Sequence, residues 1–116
     1  MTSKMTDREL SELAAKAAGI DGEWSDAHRA IHVNTAPLRN FVLWSPLTDD
    51  GDALRLSVKL HISIAHEWRN GVVYVDVGDA PIGCEQEYGS DPYAATRRAI
   101  VRAAAEIGKA QESGAK

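Results

Sequence analysis

The chain has 116 residues, enough for one domain but too few for two independent hydrophobic cores. It is 44% hydrophobic and 26% charged, as soluble globular proteins usually are, which excludes a collagen-like or fully disordered chain. Its 17 acidic residues outnumber 13 basic ones, and the net charge of −4 argues against binding to the phosphates of duplex DNA. We therefore expect a single domain over 1–116 with no nucleic-acid partner.

Cysteine content and hydropathy indicate the compartment. Cys84 is the one cysteine of the chain, so no internal disulfide forms, as is typical of proteins in a reducing cytosol. No apolar run approaches the ~20 residues that a membrane-spanning helix needs. The stretch 1–7 lacks the apolar segment of a signal peptide. The sequence therefore predicts a cytoplasmic protein without a membrane segment.

The first predicted element is a helix with clear boundaries. Thr6 and Glu9 have the spacing of a capping box, and Gly19 provides a left-handed stop. Apolar side chains recur at helical spacing between these residues, at Leu10, Leu13, Ala14 and Ala17. Because this face is short and mostly alanine, the helix is stable only when it packs on another element.

The segment 20–47 is predicted to be irregular. It contains several residues that interrupt periodic structure, namely Gly22, Asn34, Pro37, Asn40 and Pro46. Short extended pieces over 28–33 and 39–44 remain an alternative. A loop of this length is uncommon in a small domain, so it either covers the core or carries function. Its aromatic side chains, Trp24, Phe41 and Trp44, are candidates for burial or for partner binding.

The segment 48–64 fits two descriptions. Strict alternation of apolar and polar residues over 54–64 favours a strand, although such a strand exceeds the usual length of about 5–6 residues. Asp49 and Asp50 instead suit a helix N-terminus, through capping and the helix dipole. We predict a helix over 49–60 and a strand that begins near Ile62.

A hairpin follows. The segments 62–68 and 72–77 flank Asn70-Gly71, the strongest short turn signal, because both residues tolerate positive φ. The stretch 84–88 is predicted to add a third strand at the edge of this sheet, and its acidic residues discourage edge-to-edge pairing.

The last helix is predicted from Asp91, a good N-cap, and Pro92, which is favoured at the first helical position. Its buried stripe consists of small and apolar residues, Thr96, Ala99, Ile100, Ala103 and Ile107. Gly108 is expected to end the regular helix. The core is then expected over about 6–109, with a frayed tail at 110–116.

Together these elements predict an α+β fold. A small antiparallel sheet of two or three strands lies between α-helices, in the order α-α-β-β-(β)-α. A sheet this small is marginal alone, so its stability depends on the helices packed against it. An exposed strand edge also makes a homodimer through that edge an expectation.

Three blocks of the sequence, 9–19, 44–54 and 91–100, resemble the phage ABA-sandwich domain, found in small proteins of tailed bacteriophages and prophages. The likeness covers roughly 8–110. It implies a small antiparallel sheet with helices on its two faces and a helix after the Ser-Pro-x-Thr-Asp segment. It also implies a phage or prophage protein acting in the bacterial host. The family brings no catalytic signature.

The histidines are the first candidates for chemistry. His28 and His32 have the spacing of a helical metal pair, but no helical stripe surrounds them and no third ligand follows. His61 and His66 lie near the predicted start of the first hairpin strand. A general base needs a partner and a substrate within reach, so both are more often packed side chains than catalytic ones.

The acidic stretch Asp49-Asp50-Gly51-Asp52 could bind a hard cation through oxygen. A calcium loop counted from Asp49 would need a glutamate where Leu60 stands. Acids at the start of a helix are therefore the better interpretation, and we expect no metal and no cofactor.

A second acidic stretch indicates partner binding. Residues 70–96 carry five acids and no Lys or Arg, a net charge of −5. This charge could steer a basic partner, unless the arginines of the last helix neutralise it. The candidate binding residues are Trp24, Phe41, Trp44, Asp79, Glu85 and Glu87.

The sequence therefore predicts a non-enzymatic protein-binding module, with a host or phage protein as partner and a role in host takeover or counter-defence. No catalytic residue is assigned. The alternative is a small-ligand binder or minor enzyme that uses His61 or His66 with a nearby carboxylate, in a pocket that holds both groups. A virion component, which would form higher assemblies, is a third interpretation.

Overall fold

Three helices and six strands lie in the described part of the chain. The computed structural model describes residues 5–34, 42–78 and 80–114. The elements in chain order are α1 Asp7–Ala18, β1 Gly22–Ser25, β2 Ala30–Val33, β3 Val42–Trp44, α2 Asp50–Lys59, β4 Ile62–Glu67, β5 Val72–Val77, β6 Gly83–Glu87 and α3 Pro92–Gly114. The predicted α+β class is confirmed.

Sheet 1 is an antiparallel sheet of three short strands in the order β1-β2-β3. It corrects the prediction that 20–47 is irregular. β2 and β3 fall within the alternative extended pieces at 28–33 and 39–44, whereas β1 was not predicted. Ile31 of β2 is buried and pairs with Trp24 on one side and Trp44 on the other. This apolar row compensates for the shortness of the strands, because cross-strand aromatic and β-branched neighbours stabilise a sheet.

Sheet 2 is the predicted hairpin with its third strand, in the order β4-β5-β6. Gly71 has a φ of 65°, and its N–H donates to the Trp68 carbonyl at 3.2 Å. The Asn-Gly turn therefore forms where the sequence predicts it. β6 lies at one edge, and both pairings are antiparallel.

The boundaries of α1 and α2 follow local chemistry. The Thr6 hydroxyl accepts from the Glu9 N–H at 3.0 Å, while the Glu9 carboxylate accepts from the Thr6 N–H at 2.8 Å. The predicted capping box is thus confirmed, as is Gly19, whose φ is 73°. The helix predicted over 49–60 is also confirmed, although its alternating pattern leaves Leu54 and Val58 exposed.

The last helix, α3, is buried on most of its sides. It packs against α1, α2 and all three strands of sheet 2. Small side chains allow this close approach, and the buried ones are mostly alanine, namely Ala95, Ala99, Ala103, Ala104 and Ala105. A helix that buries a wide apolar face against several elements is typical of a central element.

The expectation that Gly108 ends the last helix is wrong, because α3 continues to Gly114. A Cβ atom at position 108 would overlap the carbonyl oxygen of Leu13 in α1. Glycine is required here for close packing of two helices. We call this contact, where Leu13 meets Gly108, the α1–α3 seam. Helix also replaces the expected frayed tail over 110–114.

The three helices pack on different parts of the two sheets. α1 packs on α3 and on β1 and β2, whereas α3 packs on sheet 2. Within the described ranges, most side chains on the face of sheet 2 away from α3 are exposed, while Val72 is buried at its turn end. Sheet 1, which contacts α1, is an addition to the single small sheet that the sequence predicts.

Candidate docking surface

The face of sheet 2 that points away from the helices is the main candidate site. Val73 and Val75 are buried beneath α3, so their neighbours Tyr74 and Asp76 point outward. The register extends this alternation to all three strands. The residues of this outer face are Ser63, Ala65, Glu67, Val72, Tyr74, Asp76, Gly83, Glu85 and Glu87.

Strand pairing places the tyrosine at the centre of the outer face. Tyr74 pairs with Ala65 of β4 and with Glu85 of β6, and it is 43% exposed. The row toward the β4–β5 turn places Val72 between Glu67 and Glu87. Asp76 occupies the row on the other side of Tyr74. The carboxylates of Glu67, Asp76, Glu85 and Glu87 thus surround one exposed aromatic ring.

The carboxylates of the outer face have no partner within the described chain. No ion pair or side-chain hydrogen bond joins Glu67, Asp76, Glu85 or Glu87 to another described residue, and the nine outer-face positions include no base. Unpaired carboxylates on one face generate a negative potential that attracts cationic groups.

The arginines of α3 do not neutralise this face, because they are engaged on the helix side of sheet 2. Arg97 donates to Asp50 at 2.6 Å and to the Leu47 carbonyl at 3.0 Å. Arg98 donates to Asp7 at 2.7 Å. Arg102 donates to the Glu85 carbonyl and to Gln86 Oε1, both at 3.0 Å. Partial neutralisation was the alternative to partner binding in the sequence. In the described part of the chain, no arginine of α3 pairs with an outer-face carboxylate.

An aromatic cluster lies at the turn end of the same sheet. The Nδ1 atom of His66 lies 2.6 Å from the Tyr88 hydroxyl. The centroid of the His66 ring is 5.5 Å from the centroid of the Trp68 ring. Trp68 is 76% exposed. His66 is thus held by an aromatic hydroxyl, and no carboxylate of the described chain bonds it.

The predicted binding residues fall on both sheets. Trp24 and Trp44 are half-buried and flank Ile31 in sheet 1, where the Trp24 Nε1–H donates to Asp26 at 2.7 Å. Glu85 and Glu87 lie on sheet 2. Phe41 and Asp79 lie outside the described residues. The tryptophans therefore stabilise sheet 1, while the acidic pair belongs to the outer face.

The acidic stretch at 49–52 is accounted for by helix capping. Asp49 is the N-cap of α2, and its carboxylate accepts from the Asp52 N–H at 2.8 Å. Asp52 in turn accepts from the Ser45 N–H at 2.9 Å and pairs with Arg55. Because each carboxylate has a protein partner, the interpretation as helix-start acids is confirmed.

The remaining candidates for chemistry lie apart from one another. His28 follows β1 in a turn and His32 lies in β2, so they do not share a helical face. In the described ranges no group of three His, Cys, Asp or Glu residues is arranged to hold a metal ion.

Cys84 faces α3, where its thiol donates to the Ala99 carbonyl at 3.4 Å. Burial raises the pKa of the Cys84 thiol above its ordinary value, an effect that Arg102 opposes and Glu106 reinforces. A thiol with a raised pKa carries little thiolate at neutral pH, so Cys84 is a weak nucleophile.

A groove of about 660 Å³ lies at the end of sheet 2 opposite the β4–β5 turn. His61 lines it together with Lys59 and Gln111, and none of its described lining residues is acidic. The alternative function predicts a histidine and a carboxylate in one pocket. The groove holds the imidazole without that second group among the described residues.

Comparisons with known proteins add no relative to this description. No family model matches the chain, and neither the curated proteins nor the solved structures contain a significant match. The resemblance to the phage ABA-sandwich domain therefore stays a prediction. Among the described helices, none is long and apolar enough to cross a bilayer.

Proposed function

We propose that this chain is a non-enzymatic protein-binding module and that the outer face docks a basic segment of a partner protein. The observation that carries this proposal is the group of four carboxylates around the exposed Tyr74, none of which has a partner among the described residues. Charge complementarity favours a partner segment rich in lysine and arginine, because these side chains can pair with the carboxylates.

The arrangement of the outer face suits docking because it combines steering with an anchor. Carboxylates at the rim accelerate encounter with a basic surface, and this contribution falls with ionic strength. Tyr74 provides a large, rigid side chain whose hydroxyl remains able to form a hydrogen bond after its ring is covered. Affinity and salt sensitivity therefore arise from different residues of one surface.

The biological setting of the proposal is a phage or prophage accessory protein in the cytoplasm of the bacterial host, bound to a host or phage protein in host takeover or counter-defence. The resemblance over 8–110 and the lone cysteine support this setting. The proposal assigns no catalytic residue.

The test compares two variants of equal net charge. In Glu85→Lys/Glu87→Lys the reversal falls on the outer face, whereas in Glu23→Lys/Glu112→Lys it falls on exposed residues elsewhere. Binding of a lysine- and arginine-rich decapeptide is measured by calorimetry and mapped by amide chemical shifts. We expect the outer-face variant to bind at least about tenfold more weakly, and the control variant to change little.

Equal weakening in both variants would show that net charge alone attracts the peptide and would contradict the proposal. Shift changes centred away from Tyr74 would do the same. A partner captured from host lysate by the wild-type chain should also be lost with the outer-face variant but retained by the control.

Self-association is a separate part of the proposal. β6 is an edge strand, and its pairing across a twofold axis would give the homodimer expected from the sequence. Sedimentation of the purified chain distinguishes the states: a monomer contradicts this pairing, a dimer supports it, and larger ordered assemblies favour a virion component.

A further inference from the structure

The edge of β6 that faces away from β5 offers backbone hydrogen bonds to a further strand. The Tyr88 N–H donates to the Gly71 carbonyl at 2.8 Å. Because bonded and non-bonded pairs alternate along an antiparallel ladder, the backbone groups of Glu85 and Glu87 point away from β5. No described group accepts from the N–H of either residue, and both residues are exposed. Such an edge is a template for strand addition.

A side chain of α3 contacts this edge. Arg102 donates to the Glu85 carbonyl and to Gln86 Oε1, both at 3.0 Å. Since a carbonyl oxygen has two lone pairs, the Glu85 carbonyl can accept a second hydrogen bond from an added strand. The guanidinium therefore leaves the edge able to pair, and it places a positive charge on the side of β6 that faces α3.

The two sides of the edge thus carry opposite charges. Glu85 and Glu87 lie on the outer face, whereas Arg102 lies on the side of α3. The side chains of an added strand alternate between the same two sides. Basic residues are favoured beside the two carboxylates and disfavoured beside Arg102, because cross-strand neighbours of opposite charge attract and those of like charge repel. The edge therefore favours a strand in which basic residues alternate with uncharged ones.

We propose that the basic partner segment docks as an added antiparallel strand on the β6 edge, with lysine or arginine at every second position. This inference rests on the proposed function, because it specifies how the basic segment binds beside the outer face. A second copy of the chain fits the edge less well, since β6 paired with itself brings Glu85 and Glu87 close to the same acids. The partner backbone supplies the hydrogen bonds, and its alternating charges set the register.

The first test uses two decapeptides of the same composition. In one peptide lysine alternates with threonine, and in the other the lysines form a single block. Each is titrated into the full chain, with affinity measured by calorimetry and strand pairing by amide hydrogen exchange. We expect the alternating peptide to bind about tenfold more tightly and to slow exchange at the N–H groups of Glu85 and Glu87.

Methylation of backbone nitrogens in the alternating peptide separates strand pairing from charge attraction. In an antiparallel strand, the N–H groups of the lysines opposite Glu85 and Glu87 point toward β6, whereas the threonine N–H groups point to solvent. Methylation at two lysines should therefore weaken binding about tenfold, and methylation at two threonines should change it little. The two methylated peptides have the same charge and differ only in which backbone donors they lack.

The variant Arg102→Gln tests the charge on the side of α3. It should reduce the preference for the alternating peptide over the block peptide from about tenfold to about threefold, because a lysine beside position 102 is no longer repelled. Arg98→Gln is the matched control, since Arg98 lies in the same helix but donates to Asp7. In this control the preference should stay at about tenfold.

Several outcomes would overturn the proposal. Equal weakening by the two methylation patterns would remove the strand pairing. Equal affinity for the alternating and block peptides would remove the selection of every second residue. Slowed exchange confined to β4 would place the added strand at the other edge of sheet 2. A dimer paired through β6 that does not bind the peptide would make a second copy the occupant.

The charge-reversed variant Glu85→Lys/Glu87→Lys distinguishes a failure of this inference from a failure of the proposed function. If the two methylated peptides bind alike but this variant binds the alternating peptide more weakly than the wild-type chain, the outer face docks a basic segment without strand pairing. If the variant binds the alternating peptide as tightly as the wild-type chain, the proposed function fails together with the inference.

Discussion

The α1–α3 seam and the outer face of sheet 2 are built from opposite kinds of residue. At the seam, backbone meets backbone: Gly108 lies against the Leu13 carbonyl, among fully buried alanines such as Ala14 and Ala104. At the outer face, charged side chains surround Tyr74, and Asp76, Glu85 and Glu87 among them are exposed. The comparison teaches that stability and recognition use separate surfaces, so substitutions should affect one without the other.

The largest expected effect comes from Gly108→Ala at the seam. The added methyl group would overlap the Leu13 carbonyl, and helix backbone cannot move aside as a flexible side chain can. We expect the free energy of unfolding to fall by about 2–3 kcal/mol, as in other overpacked cores. Urea denaturation followed by circular dichroism measures this loss.

Gly114→Ala is the control for that substitution, because it lies in the same helix with no atom within 4 Å of the added methyl. There the better helix propensity of alanine should leave stability equal or slightly higher. If Gly108→Ala behaved like Gly114→Ala, the close approach of α1 and α3 would be refuted.

A smaller effect of opposite sign is expected at the outer face. Glu85→Gln/Glu87→Gln removes mutual repulsion between carboxylates that have no described partner, so stability should rise by about 0.5 kcal/mol at low salt. The gain should disappear in about 1 M salt, where charges are screened. Urea denaturation at the two salt concentrations measures it, with Glu23→Gln/Glu112→Gln as control. A loss of stability at low salt would show that these carboxylates have stabilising partners.

The smallest expected effect concerns Cys84, beneath sheet 2. Because burial raises the folded-state pKa of the thiol, the unfolded chain loses this proton first as pH rises through the ordinary value of 9.0. Stability from the thiol is therefore fully present below that pH and is lost above it. The decline in unfolding free energy between about pH 7 and pH 10 should be shallower in Cys84→Ala. Identical declines would show that the thiol does not contribute.

Features set by neighbouring residues were predictable from the sequence. The capping box of Thr6 and Glu9 and the turn at Asn70-Gly71 involve atoms a few positions apart, so their chemistry is visible in the sequence. Two strands of sheet 1 were predicted only as an alternative to an irregular segment, because the strands have three or four residues, too few for a clear alternation. The turn before β2 places Arg29 at positive φ without a glycine to signal it.

Features set by distant residues were not predictable. A glycine can end a helix, or it can let two helices pack closely. Which of the two roles Gly108 has depends on its contact with Leu13, which is far away in the chain. The acidic run indicated partner binding, yet only the register shows that Glu67 joins Glu85 and Glu87 on one face. The engagement of Arg97 and Arg98 with Asp50 and Asp7 likewise follows from helix packing, since the sequence places these arginines beside the acidic run.

The central position of α3 has a consequence for how the protein is made. This helix, at 92–114, is synthesised after α1 and sheet 2, yet both bury their apolar sides against it. While the chain emerges from the ribosome, Leu10 and Val75 therefore have no permanent cover until 92–114 has appeared. The earlier elements must remain unaggregated until α3 is made and can then pack against it.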